Sequence, residues 1–161
     1  MKNAMSYWLL LGGLTIMLVL SLGGGLWGAE QSIGHWTGKL FENVCHQDPL
    51  RSLTVNGTPM AVNSRCFGIF SGLWMGWLAI PIIIRFSLKK LWTNWFLLLA
   101  VMLQIIDYMG NHILWENNNA SRVVLGLLLG AAVAIFLSDF FQTKKIRVNH
   151  ERGRKYTSTL I

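Results

Sequence analysis

The chain has 161 residues, 53% of them hydrophobic and 13% charged, about half the charge of a soluble domain. Its net charge is +7, but ten of its fourteen Lys and Arg residues gather at Lys2, at Arg85, Lys89 and Lys90, and at Lys144, Lys145, Arg147, Arg152, Arg154 and Lys155. Such clusters at the ends of apolar runs mark membrane topology and anionic headgroup contact. They exclude nucleic acid as the meaning of the positive charge, and the apolar composition leaves no room for a sizeable soluble module.

The first apolar run covers residues 6–26, after Lys2, with Trp8 and Trp27 placed at headgroup level. A cleavable signal is disfavoured because Trp27 would fill the −3 position of a cut after Ala29, so the run reads as a retained span. Gly23, Gly24 and Gly25 are expected to loosen its outer end. An outer loop, 28–65, follows. Its stretch 30–43 reads as a partly helical, surface-lying segment. Asn56-Gly57, between Leu53-Thr54-Val55 and Met60-Ala61-Val62, is a strong short hairpin signal. Pro59 limits the hairpin to a small ribbon, which turns Arg51-Ser52 back toward Arg65-Cys66.

The second apolar run is 67–86. Gly68, Gly72 and Gly76 recur at every fourth position, a spacing that lets two helix backbones approach closely. The third run, 91–114, starts with Trp92 and Trp95 and ends at Trp115. It carries Gln104, Asp107 and Asn111 at i, i+3 and i+7, which is one helical face. The fourth run, 123–141, repeats the small-residue device with Gly126, Gly130, Ala131 and Ala132. Each run approximates the ~20 residues that cross a ~30 Å hydrocarbon core. The fold class expected is all-α: a polytopic membrane protein of four transmembrane helices with a structured extracytoplasmic loop between the first two. It forms one domain, 1–142, and a basic cytoplasmic tail, 143–161. The positive-inside rule puts both termini in the cytoplasm of a multi-pass plasma (inner) membrane protein.

The chemistry-bearing side chains cluster around the outer loop: Cys45-His46-Gln47, Arg51-Ser52 and Arg65-Cys66, with only two cysteines in the chain. Asp107 lies in the outer half of the third span. A carboxylate there costs at least ~2.5 kcal/mol facing lipid, so it requires a cationic partner; Arg122, Arg65 and Arg51 are the candidates. An outward pocket of Cys45, His46, Gln47, Arg51, Ser52, Arg65, Cys66, Asp107, Asn111 and Arg122 follows. Three uses of its sulfurs compete. Cys45, His46 and Cys66 are suited to a transition metal ion such as zinc, with Asp107 as a fourth ligand. Cys45 and Cys66 can instead form a disulfide in an oxidising exterior, or act as redox thiols.

The stretch Cys45-His46-Gln47-x-Pro49-x-Arg51-Ser52, followed by Arg65-Cys66-x-Gly68-Ile69, resembles the signature of the bacterial and archaeal membrane family designated domain of unknown function 2085. Asp107, Asn119-x-Ser121-Arg122, Gly126 and Gly130 resemble its second block, and the likeness runs over residues 41–130. Asn63 departs from the pattern, standing where the family has the first Cys of Cys-x-Arg-Cys. That removes one thiol from a tetrahedral metal set and leaves an even pair. The resemblance implies an integral membrane protein with an outward polar site and supplies no activity.

The function expected from these residues is non-enzymatic. A metal ion or small polar ligand binds at the extracytoplasmic Cys/His/Arg site, for transport or within a larger membrane complex. Gln47, Arg51, Ser52, Arg65, Asp107, Asn111 and Arg122 hold the ligand; Cys45, His46 and Cys66 hold the metal. The alternative is a thiol-redox or lipid-headgroup enzyme using Cys45 or Cys66 with His46. Partners are the lipid bilayer and a homodimer or larger complex, for which the glycine faces of the second and fourth spans are the expected contacts.

Overall fold

The computed structural model describes residues 2–27, 32–85, 90–113 and 118–158. Six helices follow in order: α1 (Lys2–Leu22), α2 (Gly24–Trp27), α3 (Ser32–Phe41), α4 (Ser64–Arg85), α5 (Lys90–Ile113) and α6 (Asn119–Ser158). Between α3 and α4 lie a single 3-10 turn at Pro49–Arg51 and a ribbon of β1 (Thr54–Val55) and β2 (Thr58–Pro59). The stretches 64–83 in α4, 92–111 in α5 and 119–138 in α6 are long and apolar enough to cross a membrane; within α1, residues 5–21 form a shorter apolar helix. No more than a third of any of these three windows is buried inside the chain. Apolar surface on that scale needs a lipid environment.

The frame is the α4–α6 pair, and glycine sets how close the two helices come. A Cβ on Gly72 would lie 2.2 Å from the Leu127 carbonyl oxygen, and one on Gly130 would lie 2.2 Å from that of Ile69. Gly68 and Gly126 meet in the same way one turn nearer the loop. Backbones this close exchange dispersion contacts along the seam, which lipid tails cannot match. The small-residue faces of the second and fourth apolar runs are thus used on each other, and within the described residues they are not left for another chain. The α5 helix packs on α6, and α1 packs on α4. Two cross-links fix α1: the Trp74 indole donates to Thr15 Oγ1 at 2.9 Å, and Tyr7 stacks on Trp77 with ring centroids 6.0 Å apart.

The loop between α2 and α4 closes one end of this bundle, and the ribbon docks it there. Asn56 and Gly57 both take positive φ, 52° and 79°, as a two-residue hairpin turn requires. The strands pair Thr54 with Pro59 and Val55 with Thr58, and the Met60 amide adds a bond to the Leu53 carbonyl at 3.0 Å. Pairing therefore ends at Met60, two residues short of the end of the second apolar triplet: Ala61 and Val62 leave the ribbon to enter the core. The glycines after α1 have a second role beyond loosening its end. Gly23, at φ +52°, ends α1, and a Cβ there would lie 2.6 Å from the Ala61 Cβ; one on Gly25 would lie 2.6 Å from the Val55 Cβ. They break the first run at Gly23, as expected, and they also let the ribbon dock. The Ala61 amide then donates to the Ser21 carbonyl at 3.2 Å.

A buried hydrophobic cluster sits where loop and bundle meet: Phe41, Cys45, Ala61, Val62 and Phe70, packed against Met17, Leu18, Leu20, Cys66 and Phe67. Phe41 of α3 lies against Phe70 of α4 with centroids 5.9 Å apart. Within the 30–43 segment, Ser32–Phe41 is helical as α3, and Thr37 and Phe41 are buried while Trp36 and Leu40 stay exposed. The α6 helix continues past residue 142 without a break, so the basic segment extends the fourth span as helix. Trp115 and the side chains of Trp27, Lys2 and the tail residues lie outside the described residues, and so do the roles expected of them.

Candidate functional site at the capped mouth

The end of α3, the start of α4, the C-terminal half of α5 and the start of α6 converge at one end of the bundle. Local capping builds each piece. The Asp48 carboxylate accepts from the Leu50 amide at 3.0 Å and so starts the 3-10 turn, with Pro49 at its first position. Asn118 starts α6 in the same way, accepting from the Ser121 amide at 2.7 Å. Asn119 then donates to the carbonyls of Ser52, at 3.2 Å, and Leu50, at 3.4 Å. This fastens the 3-10 turn of the cap onto the first turn of α6.

The two cysteines meet here. Cys45 follows α3, its amide bonded to the Phe41 carbonyl at 2.8 Å, and Cys66 lies in the first turn of α4. Their sulfurs are 3.2 Å apart, both as free thiols. Cys45 is buried, and its Sγ also accepts from the Asn63 amide at 3.2 Å. Asn63 is anchored in turn: the Ser52 hydroxyl oxygen lies 3.2 Å from its Oδ1 and 2.9 Å from the Asp48 carbonyl, the two acceptors sharing one O–H. Asn63 thus supports the sulfur pair through its backbone amide. His46, the next residue after Cys45, is exposed, and among the described residues no group of three or more His, Cys, Asp and Glu side chains could hold a metal ion. The three-ligand set of Cys45, His46 and Cys66 is not assembled, because the sulfurs turn inward and His46 faces out.

One residue before Cys66, the Arg65 guanidinium donates through Nη2 to the Asp107 carboxylate. Asp107 keeps 9% of its side-chain surface and Arg65 keeps 29%. This pair answers the demand of a carboxylate within an apolar span. Of the three candidate cations, only Arg65 reaches it. Arg122 instead donates to Asn119 Oδ1 at 3.1 Å, and Arg51 pairs at the surface with Asp48, Nε to Oδ2, at 3.2 Å. Both serve the cap rather than the buried carboxylate. Gln47, at φ +49°, donates to the Gly38 carbonyl and ties the Cys45 loop back to α3. Asn111 is half-buried one turn beyond Asp107.

Among the described residues, the buried side-chain atoms that lack a hydrogen-bond partner are Arg65 Nε, Gln104 Nε2 and Ser64 Oγ. Gln104 lies three residues before Asp107, so it is about one turn deeper on the same face of α5. Arg65 Nε, on the guanidinium that pairs with Asp107, and Gln104 Nε2, a turn away from Asp107 along α5, are thus N–H donors left unsatisfied, where most buried polar groups are bonded. Ser64, Gln104, Asn63 and Asn119 fall outside the outward pocket drawn from the sequence. Asn119 carried a signal, since it belongs to the motif block with Ser121 and Arg122; Asn63 acts through its backbone, which no side-chain pattern reveals.

Apolar helices closed at one end by a polar, loop-built cap define a polytopic helical membrane protein. A family described as predicted membrane protein (DUF2085) matches residues 45–136, more than half of the chain, and the chain belongs to that family. The matched segment begins at Cys45 and takes in the sulfur pair, the Arg65–Asp107 pair and the α4–α6 seam. An uncharacterised protein of Methanocaldococcus jannaschii is 32% identical over 103 residues, which cover 63% of this chain and 66% of that protein, just under two thirds of its length. No solved structure matches the chain.

Proposed function

We propose that the protein is a four-span plasma-membrane protein with both termini in the cytoplasm, binding a small anionic ligand at its extracytoplasmic mouth. The observation that carries this reading is the set of unsatisfied donors beside the Arg65–Asp107 pair. Arg65 Nε and Gln104 Nε2 are both buried N–H donors with no acceptor. A carboxylate or phosphate oxygen between them would satisfy both, and charge-assisted bonds of this kind contribute about 1.5–3 kcal/mol each. Asp107 stays bound to the other edge of the guanidinium and holds the fork in place. The role suits the binding step of a transporter and a subunit of a larger membrane complex alike.

The test is a thermal-shift series on the purified protein with acetate, succinate and inorganic phosphate, against zinc and magnesium chloride. Stabilisation by one of the anions, lost in Gln104→Leu, is the expected result. No shift with any anion, together with one zinc per chain surviving dialysis and lost in Cys45→Ser, would replace this reading with the metal site. A thiol enzyme is the second reading, favoured by the contact between the two sulfurs; its signature would be rapid alkylation of a single cysteine at neutral pH.

A further inference from the structure

We infer that Cys45 and Cys66 form a reversible intramolecular disulfide by exchange with a small disulfide, and that this bridge latches the cap to the first turn of α4. The latch stands on the sulfur geometry alone and does not depend on the anion site. The thiols are 21 residues apart in sequence yet 3.2 Å apart in space, within hydrogen-bonding distance. A bond between them requires an approach of about 1 Å. Their backbones are independently positioned for it: Cys45 by the Phe41 carbonyl and by the Asn63 amide on its sulfur, Cys66 by the first turn of α4. Nothing else in the chain competes, since these are its only cysteines.

Their unequal burial assigns the roles. Cys45 keeps 6% of its surface, enclosed by Phe41, Ala61, Val62 and Phe70, whereas Cys66 is half-buried. Cys66 is therefore the sulfur an incoming disulfide reaches. Its thiolate attacks one sulfur of the incoming disulfide, giving a mixed disulfide and releasing one thiol. Cys45, deprotonated, then attacks Cys66 Sγ, closing the bridge and releasing the second thiol. The chain loses two protons and two electrons; the small disulfide gains them and leaves as two thiols. The bridge would join the residue after α3 to the residue next to Arg65, so the oxidation state of the cap sets the freedom of the arginine that pairs with Asp107.

The experiment equilibrates the purified full-length protein in detergent with reduced and oxidised glutathione at several ratios, quenches with acid, alkylates under denaturing conditions and weighs the intact chain. The expected result is a reversible passage from two alkyl labels to none, with a loss of about 2 Da, corresponding to two hydrogens. Cys45→Ser should accumulate a mixed disulfide with glutathione at Cys66, whereas Cys66→Ser should stay largely unmodified before denaturation. A wild-type chain that keeps both labels in oxidised glutathione, carries only mixed disulfides, or links to a second chain would overturn the latch. A bridge that reductant cannot open in the folded protein would also overturn it. Because the wild type alone decides the first comparison, a variant that fails to fold leaves the test intact.

Discussion

At the scale of single residues, the Arg65–Asp107 pair is the costliest feature of the bundle and the most informative. Both groups were taken out of water, and a buried charge left without its partner costs about 3–5 kcal/mol. Arg65→Gln should fall at the lower end of that range, because Arg65 keeps 29% of its side chain exposed and water can reach the gap. Asp107→Asn in the same chain should recover part of the loss by neutralising the stranded carboxylate. Melting curves of the two single variants and the double variant check this; full additivity of the two losses would mean that the side chains do not interact. The demand for a partner was legible in the sequence, since a carboxylate within an apolar span must have one. The identity of the partner was not. Arg122 is nearer in sequence, but Asn119 holds it at the start of α6. Which cation reaches Asp107 depends on the rotation of α4 about its axis, a property of packing rather than of spacing.

At the scale of elements, that rotation is set by glycine. The positions of Gly68, Gly72, Gly76, Gly126 and Gly130 announced close approach, but a period of four says only that some helix comes near and leaves its identity open. The two faces turn to each other, and this seam points Arg65 toward α5 while leaving Cys66 beneath the cap. Gly72→Val is expected to force α4 and α6 apart, because its Cβ would sit 2.2 Å from the Leu127 backbone oxygen, which has no room to move. Gly12→Ala meets nothing within 4 Å and should be neutral or slightly stabilising, by up to about 1 kcal/mol from helix propensity. The yield of monodisperse protein from membranes distinguishes them: Gly72→Val should be lost and Gly12→Ala retained. Equal yields would mean that the seam does not hold the bundle together. The hairpin was legible for a local reason, since Asn56-Gly57 is a turn signal requiring no tertiary context. Its docking against Gly23 and Gly25 was not, because glycine at the end of a helix reads equally as a stop or as a landing site.

At the scale of the whole molecule, the cap, the sulfur pair and the buried ion pair occupy one mouth, and their function depends on which side of the membrane that mouth faces. The proposed topology, drawn from the basic clusters near residues 85–90 and 144–155 by the positive-inside rule, puts it outside, in contact with an oxidising environment. The exposed His46 on the cap offers a direct probe. In a chain with Cys45→Ser and Cys66→Ser, His46→Cys and Ser158→Cys are introduced separately and treated with a membrane-impermeant maleimide on intact spheroplasts, then after permeabilisation. The expected result is labelling of position 46 in intact spheroplasts and of position 158 only after permeabilisation. Labelling in the opposite order would put the sulfurs and the Arg65–Asp107 pair on the cytoplasmic side and contradict an outward-facing binding site.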